Sequence, residues 1–116
     1  MENSPNAKLL RIFVGESDKA GNQPLYEAIV FEAKKQALCG ATVIRGVMGF
    51  GANSNVHTTK LFEISVDLPL IIEIIDTEDK IKAFTKIVEQ MFEETQCGGL
   101  ITLEDAKVIR YKAGKK

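Results

Sequence analysis

From Lys8 to Gly15 the chain alternates, Leu10, Ile12 and Val14 against Leu9, Arg11 and Phe13, which is the period of a strand covered in part on both faces. A polar stretch through Gly21 and Asn22 hands over to Pro24, whose fixed φ suits the first turn of a helix. Leu25, Ile29, Ala33 and Ala37, flanked by Tyr26, Val30 and Leu38, then recur at helical spacing and predict a helix over Pro24–Cys39, with Gly40 as its left-handed cap. Alternation returns over Ala41–Gly49, with Val43, Arg45 and Val47 on one side and Ile44, Gly46 and Met48 on the other. Phe50–Lys60 has neither period and reads as a long loop. Leu61–Asp76 is strand-like throughout, but Pro69 lacks a donor and marks an edge or a bend, so the third strand is best placed at Leu70–Ile75.

Asp76 or Thr77 can cap a second helix, and Glu78 and Asp79 put negative charge where its dipole favours it. Ile81, Phe84, Val88, Met91 and Phe92 form its apolar stripe, and Gly98 and Gly99 end it. Leu100–Leu103, a turn near Glu104–Asp105 and a strand over Lys107–Lys112 follow. Residues 1–7 and 113–116 are expected to fray.

The order β-α-β-β-α-β predicts an α+β fold of the ferredoxin-like plait type, a four-stranded antiparallel sheet with two helices on one face and a long loop between the second and third strands. The other face would be bare. It would carry Leu9, Arg11 and Phe13, Val43, Arg45 and Val47, and Ile71, Glu73 and Ile75, with Val108 and Arg110 or Ile109 and Tyr111 beside them. Such an apolar patch exceeds what a monomer usually exposes, so self-association is expected. Glu73 is the acidic partner on that face for Arg11 and Arg45, and pairing between subunits is the expected role.

Composition narrows the chemistry. The 116 residues leave room for one compact domain. Fifteen Lys and Arg against sixteen Asp and Glu give a net charge of −1, so no strong field draws nucleic acid. Met1–Leu10 has no apolar core of the kind a secretory signal needs, and a cytoplasmic protein is expected. Cys39 and Cys97 stand apart from one another and read as structural thiols. With His57 the sole histidine, one chain builds no multi-histidine metal site. Asp67, Glu73 and Asp76 are strung along one extended segment and form no catalytic set, so an enzyme is not expected.

Three stretches resemble the PII signalling proteins, and most closely the PII-like family of domain-of-unknown-function number 190. Val47-Met48-Gly49-Phe50-Gly51 stands where that family's second strand enters its long T-loop, Leu70–Asp76 is similar to the returning strand, and Glu104–Lys112 resembles the C-terminal segment of PII. The resemblance implies a homotrimer with a nucleotide cleft between subunits and a loop that reads the ligand and contacts a target. By position, Gly49, Phe50, Gly51, Gly98 and Gly99 would line that cleft, and Arg110 and Lys112 would face phosphates. Asn53, Ser54, Asn55 and His57 would belong to the partner-contact loop. Where PII proteins place a phosphate-binding lysine after the second glycine pair, this chain has Leu100, which favours an adenine nucleotide with fewer phosphates or another small anion. Some relatives are associated with fluoride-channel genes, which makes a membrane transport protein a candidate partner.

Each feature also has a plainer reading. Gly46, Gly49 and Gly51 match neither the dinucleotide fingerprint nor a P-loop, and glycines in a strand often mark a kink. Arg110 and Lys112, two apart on a strand, would share a face suited to phosphate, or would pair with Glu73 or Glu104. His57 can be an ordinary solvated loop residue. The alternative function is a structural or metal-associated ferredoxin-like trimer without nucleotide binding. A phosphoryl hydrolase is a third reading, weakened because Gly15–Pro24 contains no arginine.

Overall fold

A computed structural model of the chain describes residues 1–50 and 67–115. Its elements are β1 (Ala7–Gly15), the short strands β2 (Lys19–Ala20) and β3 (Gln23–Pro24), α1 (Leu25–Lys35), β4 (Thr42–Arg45), β5 (Pro69–Thr77), α2 (Glu78–Thr95) and β6 (Leu100–Ala106). β2 and β3 form a small hairpin turned at Gly21, where φ is +65°. The main sheet has four strands in the order β4-β5-β1-β6, antiparallel at every junction. Both helices lie on one face, because alternate residues of β1 and β5 (Leu10, Ile12, Val14; Leu70, Ile72, Ile74) close a core with Leu25 and Ile29 of α1 and Ile81, Phe84 and Val88 of α2. This is the ferredoxin-like plait that the order of elements implies.

Several boundaries differ from the sequence reading. Ala7, grouped with the fraying residues, begins β1 and has no exposed surface. α1 stops at Lys35 because Ala37, not Gly40, takes the left-handed conformation (φ +61°). The Leu38 amide donates to the Ala33 carbonyl and the Ala37 amide to Lys34, a Schellman closure that also draws Leu38 onto the core. Gln96 (φ +59°) likewise takes the left-handed conformation and ends α2 ahead of the glycine pair, its amide donating to the Phe92 carbonyl at 2.9 Å. Pro69 opens an interior strand, at the one strand position where the missing donor costs little.

The largest correction concerns the last strand. It spans Leu100–Ala106, and residues 107–112 belong to no strand. The register explains this: Phe13 pairs with Leu100 and Ala7 with Ala106, so β1 offers no backbone partner beyond that point. Glu104 and Asp105, expected at a turn, are accommodated inside β6 by cations on β1. Asp105 pairs with Lys8, and Glu104 with Arg11.

The face away from the helices carries Leu9, Arg11 and Phe13 of β1 and Ile71, Glu73 and Ile75 of β5, as the alternation implies. β4 has the opposite phase. Thr42 lies opposite Glu73 and Ile44 opposite Ile71, so these two share the open face while Val43 and Arg45 point to the helix side. Arg45 accordingly pairs with Glu16, and Glu73 is met within the chain by Arg11, whose Nε stands 2.8 Å from the Glu73 carboxylate. The expected pairing of these groups between subunits is replaced by pairing inside one chain.

Candidate ligand-binding site

The glycines cluster at one end of the sheet, where β4 runs out and β5 and β6 begin, and Gly46, Gly49 and Gly99 each have a packing reason. A Cβ on Gly46 would stand 2.8 Å from Cγ of Pro69, and one on Gly49 would stand 3.0 Å from the same atom. The Gly46 amide also donates to the Pro69 carbonyl at 2.7 Å, extending the β4–β5 ladder by one bond. A Cβ on Gly99 would fall 2.6 Å from the Phe92 ring and 2.8 Å from the Phe13 carbonyl oxygen. These glycines therefore bring backbone and side chains together within the chain, whatever they do for a ligand.

Gly98 and Gly99 border a groove between α2 and β6 whose walls include Lys86, Glu89, Phe92, Glu93 and Ile101. Two carboxylates face one ammonium there, beside the last turn of α2 with its partial negative charge. The helix side of the glycine pair is a poor place for phosphate. Phe50 is exposed at the end of the same region, and Gly51, Asn53, Ser54, Asn55 and His57 lie outside the described residues.

Arg110 lies at the opposite end. After β6 the chain leaves the sheet, the Val108 amide donates to the Ser4 carbonyl at 3.4 Å, and the Tyr111 hydroxyl donates to the Cys39 carbonyl at 2.8 Å. Cys39 precedes β4 at the far edge, so residues 107–111 cross from the β6 edge toward the β4 edge. Between this segment and the open face lies a cleft of about 380 Å³, lined among others by Thr42, Glu73, Ile75, Arg110 and Tyr111. Lys112 follows, exposed. Outside a strand, Arg110 and Lys112 do not share a face by the alternation argument, and the two carboxylates expected as their partners are taken: Glu73 and Glu104 both pair with Arg11.

Within one chain the two halves of the expected site are thus apart. Four strand positions separate Leu100 from Glu104, roughly 14 Å, and the cleft lies two strands further across, roughly 10 Å. A nucleotide phosphate cannot touch Gly99 and Arg110 of the same molecule in this arrangement.

Asp76 anchors the Arg110 end. It is 2% exposed, and its carboxylate accepts the Cys39 amide at 2.9 Å and the Thr77 amide at 2.7 Å. It therefore ties the α1–β4 connection to the start of α2, and α2 has no side-chain cap bond from Thr77. Burial first, and Asp76 second, push the Cys39 thiol above its usual pKa, which makes it a poor nucleophile. At the β1–β6–α2 junction Lys8 meets Asp105 and Glu78, the latter at 3.3 Å; hydrogen bonding to Asp105 raises the lysine and lowers the carboxylate. Among the described residues no group of three His, Cys, Asp or Glu side chains is placed to hold a metal ion, and no helix is long and apolar enough to cross a membrane. The meeting of Cys39, Thr42 and Tyr111 in one cleft escaped the sequence reading. Tyr111 lies far from Cys39 and Thr42 in sequence, and only the crossing of residues 107–111 brings it to them.

Comparison with known proteins gives consistent results. The sequence pattern of the DUF190 family, described as "Uncharacterized ACR", matches residues 7–108. A UPF0166 protein of Aquifex aeolicus (strain VF5) is 41% identical over 102 residues, covering 88% of this chain and 92% of that protein. Among solved structures, CPII from Thiomonas intermedia K12, bound to ADP and bicarbonate, superposes with a TM-score of 0.66 at 17% identity, covering 90% of this chain and 89% of the other. A PII-like signaling protein from Thermus thermophilus gives 0.54 at 17% identity, covering 89% of each chain. The fold is that of PII-like proteins.

Proposed function

The chain belongs to the DUF190 family, and we infer that it is a non-enzymatic, cytoplasmic PII-like regulator that binds an adenine nucleotide between the subunits of a homotrimer. The reading rests on one observation: the fold is shared over nine-tenths of the chain with a protein solved with ADP and bicarbonate bound. The split geometry supports it. A ligand that uses both the glycine end and Arg110 needs two copies of the chain, and the open face, with Ile44, Ile75 and Leu100 exposed, supplies an apolar surface for bringing copies together. Pairing of Arg11 with Glu73 and Glu104 inside the chain lets that face be covered with its guanidinium already met, one net negative charge remaining in the trio.

In this reading the ligand gives the 50–60 segment a preferred conformation, and a partner that prefers it, a membrane transport protein being the candidate, gains affinity by linkage. Leu100 in place of a lysine favours AMP or ADP over ATP. The test is isothermal titration with AMP, ADP, ATP, cyclic AMP and S-adenosylmethionine, with and without bicarbonate, on a sample whose mass is read by light scattering. A particle of three 12.8 kDa chains that binds AMP or ADP more tightly than ATP is expected. No binding by any of them at millimolar concentration overturns the nucleotide reading, and a stable single-chain particle overturns the cleft.

A further inference from the structure

The segment after β6 is held in an unusual way. Among the described residues it has no strand partner, its residues Ile109 and Tyr111 are 78% and 49% exposed, and its bonds to the rest of the chain are the Val108 amide on Ser4 and the Tyr111 hydroxyl on Cys39. The near contact is long, at 3.4 Å; the far one is a good hydrogen bond at 2.8 Å. The far anchor is itself rigid, because the Cys39 amide is fixed by buried Asp76. A weakly packed segment fastened at its distal end to a fixed point is closed in most molecules and opens locally to a minor released state at a small cost in free energy.

We propose that residues 107–112 are a releasable strap, latched by Tyr111 on the Cys39 carbonyl. Closed, the strap roofs the end of the open face over Thr42, Glu73 and Ile75 and keeps Arg110 against its own chain. Released, it uncovers those residues and frees the guanidinium to swing about Ala106 with a reach of roughly 14 Å for its Cα. Any ligand or neighbouring copy that uses Arg110, or the sheet surface beneath it, must first overcome the latch. Its apparent affinity is then the intrinsic one scaled by the released fraction. The ligand side of this statement rests on the nucleotide reading above; the latch does not.

The test uses the full chain without ligand and follows trypsin cleavage after Arg110 by mass spectrometry, under conditions where cleavage tracks the released population. Tyr111→Phe keeps the ring and removes the latch donor. Loss of one neutral hydrogen bond corresponds to about a fivefold faster cut after Arg110. Tyr111→Ala, which also removes the ring, is expected to exceed that. Because Tyr111 is half-exposed and outside the core, both variants are expected to fold. Equal cleavage rates in all three proteins overturn the strap, whether or not nucleotides bind. Acceleration in a protein that binds no nucleotide keeps the strap and removes the nucleotide reading. Where nucleotide does bind, Tyr111→Phe tightens its apparent affinity by up to about fivefold, and an unchanged affinity beside accelerated cleavage overturns the coupling of strap to site.

Discussion

Asp76 offers the sharpest check on how the sheet's β4 end is held. Its carboxylate is buried at 2% exposure and accepts two backbone amides, from Cys39 at 2.9 Å and from Thr77 at 2.7 Å. Asp76→Ala removes both acceptors and leaves two donors facing a space from which water is largely excluded. Each unsatisfied donor costs on the order of 1–3 kcal/mol, and bonds to an ionised acceptor lie toward the upper part of the range. The Thr77 amide is the cheaper loss, since a neighbouring backbone can relax toward solvent at a helix start. A total of about 3 kcal/mol follows, or about 10 °C in melting temperature for a chain of this size. Asp76→Asn keeps one acceptor oxygen of similar shape and is expected to lose about half as much. The assay is urea unfolding of wild type and both variants at a single protomer concentration, because association adds to apparent stability. A loss below about 1 kcal/mol in Asp76→Ala, with an unchanged m-value, would refute the assignment of Asp76 as the tie between the α1–β4 connection and α2.

Ala37 sits in the left-handed region with its side chain exposed, so Ala37→Gly relieves the Cβ conflict and is expected to stabilise the fold by about 0.5–1 kcal/mol in the same assay; destabilisation would contradict the Schellman closure. Gly99→Ala drives a methyl group into the Phe92 ring and the Phe13 carbonyl and is expected to cost about 1–3 kcal/mol, and a neutral result would mean that the glycine is not there for packing. Asp105 is held below the usual carboxylate pKa by Lys8, so its contribution is present above that usual value and fades as the pH falls through the lowered one. Asp105→Asn should flatten the acid limb of stability measured against pH, and an identical limb would show that the pair contributes nothing.

The alternation at Leu9–Val14 and Leu70–Ile75 and the 3.6-residue stripes of Leu25–Ala33 and Ile81–Phe92 were enough to name the elements, their order and hence the plait. Periodicity is a local property, set by which side of a strand or helix must face the core, and it is written residue by residue. Helix ends were less legible. Ala37 and Gln96 occupy the left-handed caps, whereas Gly99 serves close approach and Gly40 faces open space, and local composition favours the opposite assignment.

The phase of β4 and the end of β6 were decided by pairing. Val43 and Ile44 are both apolar, so composition cannot say which faces the helices, whereas hydrogen bonding to β5 sets it once Thr42 lies opposite Glu73. Lys107–Lys112 reads as a strand in sequence, yet β1 has no residues left to pair with it, and an unpaired strand has no ladder to sustain it. That shortage of partner backbone sends Arg110 and Tyr111 across the open face to Cys39. What the chain alone determined is everything local geometry can encode. Where the last segment lies, and so which charges meet which cleft, depended on how much backbone the neighbouring strand had left to offer.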